Sequence, residues 1–175
     1  MKAVFFDRDG VLNEAVVREG RPYPPERRED LKLVPDAAAA LARLKDAGFL
    51  LLVATNQPDV ARGTQSRAVV EAMNGALQAE LPLDGFLVCW HDDGDGCGCR
   101  KPKPGLLLEG AARFGIDLAA SFVIGDRWRD IDAGAAAGCR TVLIDRQYRE
   151  RGPAAEPDFR AISLSQAADW ILQSH

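Results

Sequence analysis

Five short apolar runs, each about as long as a β-strand, constrain the fold of this chain more than any other feature. Segments with the spacing of amphipathic helices separate them. Strands and helices that alternate in this way form βαβ units, which assemble into a parallel sheet. The fold class is therefore predicted to be α/β, with helices on both faces of the sheet. The predicted strands cover residues 2–6, 49–54, 86–90, 121–124 and 141–144.

Proline, aspartate and glycine mark the ends of the predicted helices. Pro35 and Asp36 suit the start of the first helix, and Gly48 suits its end. Residues 13–33 and 146–159 show no regular pattern and are longer than a typical connection. Each is either a loop over the active edge of the sheet or a surface segment without a role. The predicted helices cover residues 34–47, 65–80, 104–114, 131–137 and 165–172.

Size, charge and hydropathy narrow the class of protein. A net charge of -4 disfavours a basic face for nucleic acid. The longest apolar run, residues 49–54, is too short for a membrane helix. Asp7 interrupts the N-terminal apolar run, so nothing there resembles a signal peptide. We expect a cytoplasmic monomer with a single domain over residues 1–175, without a nucleic-acid or membrane partner.

Residues suited to phosphoryl transfer follow four of the predicted strands. Each group alone is common, because such residues also end strands, make turns or cap helices. In a parallel sheet, however, ligands bind beside the carboxyl ends of the strands, so all four groups are expected at one edge. That conjunction favours an enzyme over a binding module. The groups are Asp7-Arg8-Asp9-Gly10, Thr55-Asn56, Arg100-Lys101, and Gly125-Asp126 with Asp130.

The carboxylates of these groups suit a magnesium site. Phosphate monoesters are anionic and hydrolyse very slowly, so catalysis depends on positioning and on neutralising charge. Mg²⁺ prefers a few carboxylates together with phosphate oxygens and water. Asp7 and Asp126 can hold the ion, and Asp130 can fix its water shell. A carboxylate nucleophile would divide the reaction into two displacements through an acyl phosphate.

The remaining groups supply proton transfer and further charge neutralisation. Asp9 can protonate the leaving alcohol and later deprotonate the attacking water. The Thr55 hydroxyl and the Lys101 ammonium group can bind the phosphoryl oxygens, where negative charge must be stabilised in the transition state.

Three of the four cysteines lie close together beside a histidine. Cys89, His91, Cys97 and Cys99 form a Cys₃His set suited to a structural, tetrahedral Zn²⁺ site. A loop with reduced thiols or a disulfide is the alternative. A zinc ion here would fix the loop that runs directly into Lys101, so metal binding could position that lysine.

The order of these motifs resembles that of the haloacid dehalogenase (HAD) superfamily phosphatases over nearly the whole chain. Asp7 to Val11 match the first motif, Thr55 the second, Lys101 the third, and Gly125-Asp126 with Asp130 the fourth. The resemblance implies a HAD-like, Rossmann-like fold. It also implies an Asp7 nucleophile, an Asp9 acid/base, and Mg²⁺ held by Asp7, the Asp9 carbonyl and Asp126. The short spacing between motifs leaves no room for a large cap domain, which favours hydrolysis over mutase activity.

The cysteine cluster and residues 55–63 resemble the capless branch that includes the heptose-bisphosphate and histidinol-phosphate phosphatase families. The branch implies a small phosphorylated sugar as substrate, foremost heptose 1,7-bisphosphate at its 7-phosphate, bound by Asn56, Arg62 and Arg100. Residues 58–60 depart from the family motif. Histidinol phosphate or another small metabolite is the alternative substrate. A phosphoacceptor signalling domain and a structural zinc-binding adaptor are the alternatives from other classes.

Overall fold

The computed structural model describes residues 1–174, and its centre is a six-stranded parallel sheet with the strand order β5-β4-β1-β6-β7-β8. The predicted α/β class and all five predicted strands are confirmed, each within two residues at its ends. A separate two-stranded antiparallel hairpin, β2–β3, follows the first strand. The strands are β1 Ala3–Phe6, β2 Val16–Arg18, β3 Arg21–Tyr23, β4 Leu50–Asn56, β5 Gly85–Cys89, β6 Phe122–Gly125, β7 Arg140–Ile144 and β8 Phe159–Ala161.

All five predicted helices are also present. The fifth predicted segment ends the described chain as α6, and Gly115 and Gly138 follow α4 and α5 in the left-handed conformation that glycine tolerates. The fourth predicted helix, 131–137, begins three residues earlier than expected, at Trp128. The helices are α1 Ala37–Asp46, α2 Pro58–Ala61, α3 Arg67–Glu80, α4 Gly105–Phe114, α5 Trp128–Ala137 and α6 Leu164–Ser174.

The central strand β1 explains why its sequence is apolar without interruption. Its side chains alternate between the two faces of the sheet. Val4 and Phe6 enter one hydrophobic cluster and Ala3 and Phe5 enter the other, and all four are fully buried. Helices cover both faces, so neither face of this strand tolerates a polar residue.

The strand register aligns the chemistry-bearing residues at one edge of the sheet. Phe6 pairs with Val53 on β4 and with Ile124 on β6, and Asn56 pairs with Cys89 on β5. The residues that follow these strands therefore emerge side by side.

The two segments without a sequence pattern contain short elements. The β2–β3 hairpin lies within residues 13–33, and the edge strand β8 begins at the end of residues 146–159. Three-residue strands supply too little sequence for a periodicity to be visible. Within residues 1–174, no helix combines the length and the apolar character that a membrane span requires.

Candidate active site

Three carboxylates converge beyond the carboxyl ends of β1 and β6. Oxygen atoms of Asp7, Asp126 and Asp130 lie within 4.8 Å of one another. Gly10 permits this approach, because a Cβ at position 10 would lie 1.9 Å from Asp126 Oδ2 and the backbone there has a φ of +85°. Gly125 is required for a similar reason, since a Cβ at that position would overlap Asp130.

Lys101 is the cation of this cluster. Its Nζ donates to Asp7 Oδ1 at 3.0 Å, to Asp130 Oδ1 at 2.6 Å and to the Ala54 carbonyl at 2.6 Å. Burial alone would lower the pKa of Lys101, but Asp130 and Asp7 outweigh this effect and raise it. Lys101 is therefore charged and fixed between the two carboxylates.

The hydrogen bonds distinguish the three carboxylates from one another. Asp130 uses both oxygens inside the protein, because Oδ1 accepts from Lys101 and Oδ2 accepts from the Arg127 backbone N–H at 3.1 Å. Asp126 Oδ1 is buried and has no hydrogen-bond partner among residues 1–174. Burial, and to a smaller extent the charge of Asp130, raises the pKa of Asp7 to about 6. Burial, and to a smaller extent the charge of Asp7, raises the pKa of Asp126 well above its ordinary value.

A divalent cation stabilises a carboxylate oxygen that has no hydrogen-bond partner and lies among other carboxylates. The donors are all hard oxygen atoms, as Mg²⁺ requires. Asp7 and Asp126 fit direct ligation of Mg²⁺. Asp130, whose oxygens are both occupied, fits a positioning role instead.

Asp9 is held by three neighbours on the other side of the turn. Arg8 donates from Nη2 to both Asp9 oxygens, at 3.0 and 3.1 Å. Asn13 donates to Oδ1 and Gln57 to Oδ2, each at 3.0 Å. Arg8 is itself fully buried and donates from Nη1 to Asn74 on α3 at 3.0 Å. The orientation of Asp9 therefore depends on a network that reaches α3.

Thr55 and Asn56 end β4 at the same edge. Thr55 is buried, and its hydroxyl oxygen accepts from Gln57 at 3.0 Å, which leaves its own O–H able to donate to a phosphoryl oxygen. The Asn56 side chain lines the pocket, but it pairs with the Lys101 backbone through both its amide nitrogen and its oxygen. This reciprocal pair positions the chain at Lys101.

An arginine-rich pocket opens next to Asp7 and Lys101. Acidic side chains orient three of its arginines: Asp92 binds Arg62, Asp93 binds Arg100, and Glu150 binds Arg127. Arg100 Nη1 is buried without a partner among residues 1–174, although it is a strong donor. The residues of the pocket include Asp7, Asp9, Arg21, Tyr23, Asn56, Arg62, Arg100, Lys101, Arg127 and Arg129.

The structure brings the four predicted zinc ligands together. A tetrahedral Zn²⁺ with Zn–S bonds of about 2.3 Å places its sulfur ligands about 3.8 Å apart. The Sγ atoms of Cys89 and Cys97 are 3.8 Å apart, and His91 Nδ1 lies 3.7 Å from Cys89 and 3.3 Å from Cys99. The Cys89 and Cys99 sulfurs are closer, at 3.0 Å. All four cysteines are free thiols, so the cluster fits a metal and contains no disulfide.

Several residues of the site were not predicted from the sequence. Arg8 is adjacent to Asp9 and Gln57 directly follows Thr55-Asn56, so both could have been considered from their places beside the motifs. Asn74 and Tyr148 carried no such signal. The Tyr148 hydroxyl donates to Asp126 Oδ2 at 2.8 Å from the unpatterned segment 146–159. Burial, and then the Asp126 charge, raise the pKa of Tyr148, so this hydroxyl keeps its proton.

The chain is similar to known hydrolases in both sequence and fold. Residues 15–138 match the family model of haloacid dehalogenase-like hydrolases. The D-glycero-beta-D-manno-heptose-1,7-bisphosphate 7-phosphatase of Pseudomonas aeruginosa is 37% identical over 146 residues, which cover 81% of this chain and 79% of the relative. The Bordetella bronchiseptica protein of the same name is 33% identical over 182 residues, which cover 99% of each chain. The crystal structure of D,D-heptose 1,7-bisphosphate phosphatase from B. bronchiseptica, complexed with magnesium and phosphate, matches with a TM-score of 0.86 and 32% identity and covers 100% of both chains.

Proposed function

The chain belongs to the haloacid dehalogenase-like hydrolase family and is a phosphoric monoester hydrolase, and from that premise we propose that it removes the 7-phosphate of D-glycero-D-manno-heptose 1,7-bisphosphate. The names of the relatives support the β-anomer as the preferred form. Histidinol phosphate remains the alternative substrate.

One observation carries this proposal: two buried polar atoms of opposite character, one in the carboxylate cluster and one on an arginine of the pocket, have no hydrogen-bond partner among residues 1–174. Asp126 Oδ1 lies at the carboxylate end and requires a cation, while Arg100 Nη1 lies at the arginine end and requires an acceptor. A buried polar group without a partner is unfavourable unless a ligand satisfies it. A bisphosphate with Mg²⁺ supplies both partners, since one phosphate is attacked at Asp7 and the other binds near Arg100.

The residues at the carboxylate end support a two-step hydrolysis. When bound by Asp7, Asp126 and the Asp9 carbonyl, Mg²⁺ would neutralise the phosphate oxygens during the reaction. An Asp7 oxygen forms the new bond to phosphorus, and the bond to the sugar oxygen breaks as that oxygen takes a proton from Asp9. Water then attacks the aspartyl phosphate, Asp9 accepts its proton, and phosphate leaves with Asp7 regenerated.

Other residues bind and orient the phosphoryl group. The Lys101 ammonium group can exchange its hydrogen bond to Asp7 for one to a phosphoryl oxygen, and the Thr55 hydroxyl can donate to another. Asn56 holds the Lys101 backbone in place. Asn56, Arg62 and Arg100 are proposed to contact the substrate. Thiolates and an imidazole in the Cys89–Cys99 loop are proposed to hold a structural Zn²⁺. A cytoplasmic location, a monomeric state and a single domain over 1–175 remain predictions.

The test is phosphate release from a panel of substrates, with Asp7→Asn as the inactive reference. The panel contains both anomers of the heptose bisphosphate, fructose 1,6-bisphosphate, histidinol phosphate and sugar monophosphates. We expect Mg²⁺-dependent release with the highest kcat/KM on the β-heptose bisphosphate. Equal kcat/KM across the panel would contradict the assigned substrate while leaving the phosphatase chemistry intact.

Arg100→Ala separates the two ends of the pocket. We expect KM for the bisphosphate to rise by roughly tenfold or more, because a charge-assisted hydrogen bond to the distal phosphate is lost. The KM for a sugar monophosphate should change little. Equal rises in KM for both substrates would show that Arg100 does not bind the distal phosphate.

A further inference from the structure

We infer that Tyr148 is a positioning residue for magnesium, acting through Asp126. This inference rests on the proposed function, which assigns Asp126 as a ligand of the ion. Nothing in the sequence pattern indicates such a role, because Tyr148 lies 22 positions beyond Asp126 in a segment without regular structure.

The hydrogen bonds of Asp126 carry the argument. Oδ2 accepts from the Tyr148 hydroxyl at 2.8 Å, whereas Oδ1 is buried and unpartnered among residues 1–174. A carboxylate with one oxygen fixed by a neutral donor cannot rotate freely, so its other oxygen keeps one direction. An oxygen of Asp126 lies within 4.8 Å of oxygens of Asp7 and Asp130, so the carboxylate that Tyr148 holds belongs to this cluster.

The segment around Tyr148 is itself anchored on several sides, which makes the tyrosine a fixed support. Arg146 donates from Nε to the Gly10 carbonyl at 3.1 Å, so the segment bonds to the turn that carries Asp7 and Asp9. The hydroxyl of Tyr148 would also be 2.9 Å from a Cβ at position 10. Two further contacts join Arg149 N–H to the Gly20 carbonyl of the hairpin and Glu150 to Arg127 at the start of α5.

These contacts decide between the two readings of residues 146–159. A surface segment without a role would not place a part-buried hydrogen bond on the proposed metal ligand Asp126. Outer-shell partners of metal ligands typically change metal affinity by about 10–100-fold when removed. Loss of the hydroxyl should therefore weaken magnesium binding while leaving every direct ligand in place.

The experiment is Mg²⁺ titration by calorimetry of wild type, Tyr148→Phe and Tyr23→Phe. Tyr23 is the only other tyrosine of the chain and lies on the hairpin at the pocket. Within residues 1–174 the hydroxyl that bonds Asp126 is that of Tyr148, so Tyr23→Phe controls for loss of a hydroxyl near the site. The proteins are transferred to magnesium-free buffer by gel filtration without a chelator, so that any thiolate-bound metal stays in place. Thermal melts without Mg²⁺ and kcat against Mg²⁺ concentration are measured on the same samples.

We expect the dissociation constant for Mg²⁺ to rise by about tenfold or more in Tyr148→Phe and to stay unchanged in Tyr23→Phe. The kcat of Tyr148→Phe should recover toward wild type at high Mg²⁺, since the catalytic residues are intact. A Mg²⁺ affinity equal to wild type overturns the inference, even if the melting temperature falls, because only a structural role would then remain. If wild type itself binds no Mg²⁺, the proposed metal site fails and the inference fails with it.

Discussion

The hydrogen bond between Arg8 and Asn74 gives the most quantitative prediction about the site. Arg8 is fully buried, and Asn74 on α3 is 7% exposed. In Asn74→Leu, which keeps the side-chain size, Arg8 Nη1 would lose its acceptor at 3.0 Å. A hydrogen bond to a charged group contributes about 1.5–3 kcal/mol, so we expect the free energy of unfolding to fall by about 2 kcal/mol. For a chain of this length, the melting temperature should fall by about 4–8 °C.

The same substitution should affect catalysis selectively, because Arg8 also holds both oxygens of Asp9. We expect kcat for a sugar phosphate to fall on the order of tenfold, since its alcohol leaves only when protonated. The initial burst of p-nitrophenol from p-nitrophenyl phosphate should change little, because that leaving group needs no proton. Single-turnover kinetics with the two substrates measures this difference.

Two comparison variants make this reasoning refutable. Asn74→Asp keeps an acceptor for Arg8 and should lose less than half as much stability as Asn74→Leu. Gln78→Leu changes an exposed residue one turn further along α3 and should resemble wild type. Urea unfolding gives the free energies. A loss below about 0.5 kcal/mol in Asn74→Leu would refute the energetic argument, and an equal loss of rate on both substrates would refute the link to Asp9.

Two further predictions concern the metal sites. Cys97→Ser should lower both the zinc content per chain and the melting temperature, because one of the four ligands is lost. Cys139→Ala lies outside the cluster and should retain the zinc. Unchanged zinc content in Cys97→Ser, measured by elemental analysis, would contradict the site. Stabilisation by Mg²⁺ should be larger near pH 8 than near pH 5. The pKa of Asp7 is raised from 3.8 to about 6 in the fold. The metal-free protein therefore loses stability as the pH rises from about 4 to about 6. Mg²⁺ offsets this loss only where the carboxylates are ionised. An equal rise in melting temperature at both pH values would contradict this linkage.

The parts of the site that the sequence could predict are those encoded locally. Asp7 follows a buried strand directly, and Asp126 follows Gly125 at the end of another, so the α/β pattern alone places both at one edge. The zinc ligands are equally local, since Cys89 and Cys99 are ten residues apart. In these cases the chain direction fixes the neighbours before any tertiary packing is considered.

The contacts that support these residues could not be predicted in the same way. Asn74 meets Arg8 across 66 positions, and its own sequence context is an ordinary amphipathic helix. Tyr148 reaches Asp126 from a segment with no periodicity at all. Such pairs depend on how α3 and a long connection pack over the sheet edge, which is a property of the whole fold and leaves no trace in a local pattern.

The charges of the two ends of the pocket explain why a metal-bound bisphosphate suits this site better than a free anion. Asp7, Asp126 and Asp130 bring three carboxylates against the single ammonium group of Lys101, so full ionisation leaves two negative charges that a divalent cation would balance. Without that cation the cluster repels phosphate. At the other end, Arg100 is already paired with a carboxylate and offers one oriented donor instead of a free charge. An anion therefore gains little from either end alone. A molecule that carries two phosphates at the right separation, with the metal in place, satisfies both.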